Sequence, residues 1–486
     1  MLRLLTVSSR KLLPRSSWFW LGLAGVVCLA AALRFWGLGR FNTLVFDEVY
    51  FAKFGYNYLN GTPFFDAHPP LGKYLIALGI RLGGFNPFGY RWMNALTGSL
   101  IPLLIAAIAY ELSRRRSYAL IAGLFAAVDG LLLVESRYAL INIYLLFFGL
   151  LGQWLFLLAL TTRGAKRWLR LSLAGASLGG AIAVKWNGLG FLLGIYLIWI
   201  CAWGIQKFIS PRSSAFPEVS DSLSEGTPLQ KLGEIHFLQL FLYIPIIAFL
   251  VYRLEWGLHL RQNPSVGFWQ LQQQMLSYHE RIGNGPSVHP YCSAWFTWPL
   301  MIRPVDYFYQ TALTTSEPVP VVGPRLPQNA AKVIYDVHAM GNPALWWLST
   351  AAIVILIWAL VRRIEAWFVV EPNAAVHLGQ RYMMSGAEFW LPLYLVLNYS
   401  ANLLPWIDVS RCTFLYHYMP ASLYSLMAIA WLVDRWVQSV HPLFRGLGIT
   451  IIFLVLLAFV FWLPIYLGLP LSPEGFRMRM WFPSWI

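Results

Sequence analysis

The chain has 486 residues, of which 58% are apolar and only 12% charged, and its mean hydropathy is +0.57. That excludes a water-soluble domain of this size, because a water-facing surface needs more polar cover. Thirty-six basic against 21 acidic side chains give a net charge of +15, but the basic residues fall in short clusters between apolar runs. Arg114-Arg115-Arg116, the group from Arg163 to Arg170 and Arg362-Arg363 are the pattern of cytoplasmic loops, which argues for membrane lipid as the surroundings and against nucleic acid as a partner. A helical span needs roughly 20 apolar residues, and the sequence offers about eleven such stretches. The fold class expected is an all-α, multi-pass membrane protein in which 1–486 form a single membrane domain.

In chain order, a basic start is followed by an apolar run at 18–33 and then Arg34-Phe35-Trp36, with no small-residue cleavage site just beyond. It reads as a retained anchor with a cytoplasmic amino terminus. Residues 38–91 then form a first outer loop. Spans follow at about 92–112, 118–134, 138–160, 171–184 and 189–205, and each inward step lands on a basic cluster. The fourth of these is rich in Gly, Ala and Ser, which permits close packing against a neighbour.

A Ser-, Pro- and Glu-rich stretch at 206–236 reads as a cytoplasmic linker. After a span at 237–252, residues 253–343 form a long outer loop with one helix, at 268–281, and otherwise irregular structure. Spans at about 345–360, 389–404, a tenth ending before Asp434, and 449–467 leave the carboxyl terminus outside. Cys292 and Cys412 lie near the outer surface, where they could pair, although no spacing motif favours it. No Cys/His zinc pattern is present.

The chemistry concentrates in the first outer loop. Asp47, Glu48, Asp66 and His68 sit there among many aromatic rings, in a chain with few acids. Asp47 and Glu48 are adjacent and on a helix point about a quarter turn apart, so they cannot face each other as a dyad and only one can be a base. Asp47 is equally a natural helix N-cap. Asp66-Ala67-His68-Pro69-Pro70 reads as a kinked entry to a second short helix.

Four cations next to apolar spans, Lys73, Arg137, Lys185 and Arg411, would gather at the same level. Each alone could snorkel to headgroups; together they suit an anionic ligand such as a lipid-linked phosphate. Tyr278-His279 and Tyr416-His417-Tyr418 add rings and imidazoles that suit either a sugar face or an interfacial belt.

These residues resemble a known family. Phe46-Asp47-Glu48, then 65–73 reading Phe-Asp-Ala-His-Pro-Pro-Leu-Gly-Lys, Ser136-Arg137, Lys185-Trp186, Trp298-Pro299, Gly341-Asn342-Pro343 with Trp346-Trp347, and Arg411 through Tyr418 look like the protein O-mannosyltransferases. The resemblance implies a GT-C type glycosyltransferase that moves mannose from a polyprenyl phosphate to Ser or Thr of a secreted or membrane protein, with inversion, at the outer face of the plasma membrane.

On that reading the catalytic acids are Asp47 and Glu48. Asp47 is the base, and Glu48 and Asp66 orient acceptor or sugar. His68, His279, Tyr416 and His417 contact substrate, and Arg137, Lys185, Arg411 and Lys73 hold the donor phosphate. No cofactor or metal is required, a divalent ion is possible without being implied, and a dimer is left open. Two departures stand out: Asn142 replaces an Asp usual in the family, and 253–343 is too short for the inserted domain of eukaryotic members, so the chain looks bacterial. The rival readings are a related transferase moving another sugar, such as aminoarabinose, to a lipid, and a secondary transporter; the internal repeats usual in transporters are not visible.

Overall fold

The computed structural model describes residues 16–208, 228–313, 317–323, 332–368 and 386–486. The basic start at 1–15 and most of the linker at 206–236 lie outside these residues. Helices stand at every position read as a span. α1 (Ser16–Phe35), the short α2 (Glu48–Asn60) and α3 (Leu71–Gly83), α4 (Pro87–Ser113), α5 (Arg116–Ala127), α6 (Gly130–Glu135), α7 (Asn142–Leu160), α8 (Gly164–Val184) and α9 (Leu189–Phe208) make up the first half. In the second, α10 (Ile244–Gln262) and α11 (Phe268–Arg281) lead to strands β1 (Val305–Ala312) and β2 (Val333–Ala339). Then come α12 (Pro343–Phe368), α13 (Gly386–Leu403), α14 (Met419–Val437), α15 (Pro442–Leu467) and a short α16 (Pro473–Arg477).

Seven of the described helices are long and apolar enough by themselves to cross a membrane, fewer than the about eleven spans expected. One cause is visible at the third span, which breaks at Val128-Asp129 into α5 and α6. The Asp129 carboxylate accepts from Leu132 N (2.9 Å), capping α6, and from the Trp346 indole N–H (2.7 Å). Asn342 Nδ2 donates to the Val455 carbonyl at 2.9 Å. A helix break in an apolar interior exposes backbone groups that must find partners, and the Gly341-Asn342-Pro343 and Trp346 residues supply them. That motif is structural.

The small-residue stretch behaves as its composition suggests. A Cβ on Gly179 of α8 would stand 2.4 Å from the Ala248 carbonyl oxygen of α10, so only glycine lets the two backbones meet there. α10 follows directly on a π-helical turn at Gln239–Tyr243 and runs to Gln262, ten residues past the expected end at 252, so the long loop begins later than expected. Its helix occurs where the periodicity placed it, at Phe268–Arg281.

The rest of that loop is not irregular throughout. β1 and β2 pair antiparallel with a bulge between Asp306 and Phe308, and an isolated bridge joins Ile334 to Leu471. Both strands are rich in β-branched and aromatic residues, a signal legible in the sequence.

Connections gather at two ends of the bundle. At one, Asn42 N donates to Pro320 O (2.8 Å), Ser293 N to Thr413 O (2.8 Å) and Arg303 Nη1 to Ser484 O (2.8 Å), tying the first loop, the long loop, the loop before α14 and the chain end into one cap. At the other, Arg115 Nε meets Asp434 Oδ2 at 2.6 Å and Arg167 Nη2 meets Glu234 Oε2 at 2.9 Å. These pairs join α5 to α14, and α8 to the segment before α10.

Cys292 and Cys412 form a disulfide, with Cα atoms 5.2 Å apart across 120 residues of sequence. The pairing left open by spacing is settled by this cap, where Cys412 N also donates to Gly283 O at 2.8 Å. Removing a bridge that closes so long a loop costs about 2–5 kcal/mol. Cys292→Ser is therefore expected to lower the thermal midpoint of the detergent-purified protein and to expose the 283–293 segment to protease; an unchanged melt would mean the bridge adds nothing.

Candidate active site

The site grows from the turn that begins α2. Phe46 has φ +50°, a left-handed conformation that is strained for a bulky residue. Its ring is held by stacking on Tyr307, with centroids 4.1 Å apart and planes 8° from parallel, and by an edge contact with Tyr416 at 6.3 Å. The next residue, Asp47, stands at the N-cap of α2, yet its side chain makes no capping hydrogen bond. Its carbonyl alone starts the helix, accepting from Tyr50 N and Phe51 N at 3.0 Å each. The carboxylate is left for other work. Burial pushes its pKa up to about 6, against the pull of Lys185 and with a further push from Asp66.

Glu48, expected as a catalytic partner, is fully buried and fully committed. Oε1 accepts from Arg91 Nε (2.8 Å) and Ala139 N (2.7 Å), and Oε2 from Arg91 Nη2 (2.7 Å) and Val45 N (2.8 Å). Arg91 also donates to the carbonyls of Leu38, Phe41 and Thr43. The pair clamps the first loop to α4 and to the loop before α7; it does not face a substrate.

Arg137 is likewise a correction. Its Nη1 donates to the carbonyls of Leu33 (2.8 Å), Arg34 (3.1 Å) and Trp36 (2.7 Å), which satisfies the carbonyl end of α1 as a C-terminal cation should. Arg34 Nε reaches Ser136 Oγ at 3.2 Å, so the Ser136-Arg137 motif anchors α1. Lys73 also has partners, an ion pair with Asp66 and a bond to His68 O (2.6 Å). It locks the His68 turn, so neither Asp66 nor Lys73 is an unpaired group.

Other expected residues do converge. His68, Lys185, His279 and Arg411 line a cleft of about 200 Å³, along with Trp186 and Trp406. The two imidazoles lie 5.4 Å apart, and His279 Nε2 is 3.0 Å from Ala67 O. Burial and nearby cations hold both neutral, His279 at about 4 and His68 well below its usual value. Lys185 sits with its ammonium 5.3 Å from the centre of the Tyr416 ring, and burial, helped by Arg411, lowers its pKa to about 8. His417 does not line the cleft: its Nδ1 lies 3.0 Å from both Phe414 N and Phe414 O, and its ring packs on Trp406 at 4.6 Å.

Two participants, Glu135 and Tyr307, were not among the expected site residues, and they meet Asn142, noted from sequence only as a departure. Glu135 accepts from Tyr307 Oη at 2.5 Å and from Asn142 Nδ2 at 3.3 Å, and Lys185 Nζ donates to Asn142 Oδ1 at 3.3 Å. This relay makes the Asn142 departure intelligible, because an amide both donates to Glu135 and accepts from Lys185, which a carboxylate beside Glu135 could not do when ionised. Glu135 carried a signal, an acid closing an apolar run. Tyr307 carried none, since a bulge decides where it points. A second, apolar cleft of about 410 Å³ lies between α8, α9, α10 and α11 and shares Trp186 with the first.

Residues 24–88 and 85–262 match the family description dolichyl-phosphate-mannose-protein mannosyltransferase, and 265–485 match the C-terminal four-transmembrane region of protein-O-mannosyltransferase. The chain belongs to the protein O-mannosyltransferase family. A polyprenol-phosphate-mannose–protein mannosyltransferase of Mycolicibacterium smegmatis is 29% identical over 96% of this chain and 93% of its own length. Protein O-mannosyl-transferase 2 of Drosophila melanogaster is 34% identical over 36% of this chain.

Among solved structures, the Saccharomyces cerevisiae Pmt1-Pmt2 complex bound to its sugar donor superposes with a TM-score of 0.76 at 15% identity, covering 99% of this chain and 94% of that one. ArnT of Cupriavidus metallidurans bound to undecaprenyl phosphate gives 0.51 at 14% identity, over 90% and 63%. These likenesses show the GT-C fold.

The corrections separate by experiment. Arg137→Ala should lower the thermal midpoint and leave the apparent donor KM within about twofold, because its bonds go to main-chain carbonyls. Glu48→Gln strands Arg91 in an apolar interior and should destabilise by about 3–5 kcal/mol. A raised donor KM with an unchanged melt in Arg137→Ala would return that arginine to the phosphate.

Proposed function

We propose that this chain transfers mannose from a polyprenyl-phosphate mannose donor to Ser or Thr hydroxyls of secreted or membrane proteins, with inversion, at the extracytoplasmic face of the plasma membrane. The observation that carries the mechanism is the Asp47 carboxylate, uncapped and pushed up to about 6, within electrostatic reach of a cleft lined by Lys185 and Arg411. A hydroxyl is a weak nucleophile until a positioned base takes its proton as the bond forms. Asp47 accepts that proton, the hydroxyl oxygen bonds to the anomeric carbon, and the carbon–oxygen bond to the phosphate breaks with its electron pair leaving on the phosphate.

The polyprenyl phosphate departs without needing a proton, so no carboxylic acid is required opposite the base. Lys185 and Arg411 balance the charge as it leaves, and no step is assigned to a metal. Neutral His68 and His279 offer hydrogen bonds to the sugar or acceptor without adding charge. The apolar cleft bordered by Ile182, Leu189, Phe249 and Tyr252 takes the first isoprene units, and Trp186, shared by both clefts, marks where head gives way to tail.

Two measurements test this. Asp47→Asn should cut kcat for mannosyl transfer to a Ser/Thr peptide by about 10²–10⁴-fold while the chain still binds donor. Full activity, or label passing to lipid and not to peptide, would remove the proposal. In the native protein kcat/KM should rise through an acidic limb near pH 6, since the base works only when ionised. A limb near the ordinary carboxylate value of about 4 would place the base elsewhere.

A further inference from the structure

The β1–β2 ribbon carries a group of side chains that the transfer chemistry does not use. Asp336 and His338 are two residues apart on β2 and therefore share a face, and Asp306 of β1 is the cross-strand partner of His338. Their ligand atoms all lie within 4.8 Å of one another. Asp336 and His338 are 1% and 2% exposed, and Asp336 Oδ2 and His338 Nε2 have no hydrogen-bond partner among the described residues. Inside the group His338 Nδ1 lies 3.4 Å from Asp336 Oδ1, the Asp306 and Asp336 carboxylates come within hydrogen-bond reach of each other, and Asp306 Oδ1 accepts from Phe308 N at 2.9 Å.

Arg303 is near enough to act on His338 by charge. Its hydrogen bonds nevertheless go to the main-chain carbonyls of Pro290, Ser484 and Ile486. Two carboxylates and an imidazole buried together with open lone pairs are unfavourable unless something neutralises them. A divalent cation does so with a balanced charge. Mixed carboxylate and imidazole donors suit a first-row ion over Mg²⁺ or Ca²⁺, and zinc takes such donors in a tetrahedral shell whose fourth place a water can fill.

We propose that Asp306, Asp336 and His338 form a divalent-cation site, best suited to Zn²⁺, that fixes the β1–β2 ribbon next to the catalytic loop. The bulge gives the site its consequence. Asp306 and Phe308 pair in the ladder while Tyr307 between them does not, and a bulge re-aims the side chain it carries. Tyr307 is the ring on which strained Phe46 stacks and the hydroxyl that donates to Glu135. An ion held by Asp306 thus anchors the backbone one residue from the support of Asp47. The binding site stands on its own geometry; only this effect on Asp47 rests on the proposed transfer reaction.

The test uses the full chain, purified in detergent and stripped with a chelator, then titrated with ZnCl₂ and separately with CoCl₂. About one equivalent per chain is expected to bind, with a visible Co²⁺ absorption, a higher thermal midpoint on adding Zn²⁺, and a lower one on stripping. Asp306→Asn, the least buried of the three, should lose the equivalent and the Co²⁺ band, whereas Asp47→Asn should keep both. No bound ion by elemental analysis and no shift of the melt in the native chain would overturn the site. If Asp306→Asn does not fold, the native titration and Co²⁺ spectrum still decide. Metal binding that survives in Asp306→Asn would overturn the assignment of ligands. Failure of transfer in Asp47→Asn bears only on the reaction, so the two readings fall separately.

Discussion

The buried pair of Glu48 with Arg91 is the constraint on which the site depends. Between them the two side chains bond to the main chain at Leu38, Phe41, Thr43, Val45 and Ala139, so the loop entering α2 has one path. Along that path Phe46 takes a positive φ, and the following carboxylate makes no capping bond to the helix it opens. A buried ion pair is a poor source of net stability but a strict geometric device, because breaking either half strands a charge. Adjacent acids thus divide the labour: one builds the turn, and its neighbour is freed by it.

The same division runs through the polar interior. Arg137 with Arg34 and Ser136 finishes α1, Asp129 with Trp346 and Asn342 mends the break between α5 and α6, and Lys73 with Asp66 sets the His68 turn. These are polar groups where water is scarce, and each makes its hydrogen bonds to main-chain atoms or to another of them. Lys185 and Arg411 differ, since they line a cleft, and Lys185 hydrogen-bonds the Asn142 amide and faces the Tyr416 ring without an ion pair in contact among the described residues. Cations whose surroundings leave them under-neutralised are the ones suited to an incoming phosphate.

Legibility followed the physics of each signal. Helix positions came through because apolar length is imposed by the bilayer, and α11 came through because its periodicity is strong. The ribbon did not, although Val305–Ala312 and Val333–Ala339 have strand composition, because short strands in a long loop compete with irregular structure. Residue type alone also could not rank the cations: Arg137 and Lys185 look alike beside a span, and only their contacts distinguish an anchor from a ligand.

From the sequence alone, the membrane class, the family resemblance and the candidacy of Asp47 could be read, since each is written in composition or in contiguous motifs. Tertiary structure alone decided that Glu48 is a clamp, that Glu135, Asn142 and Tyr307 form a relay to Lys185, and that Cys292 meets Cys412. Those facts depend on residues tens to hundreds of positions apart meeting in a low-dielectric interior, where the partner a polar group finds, and not its identity, sets what it does.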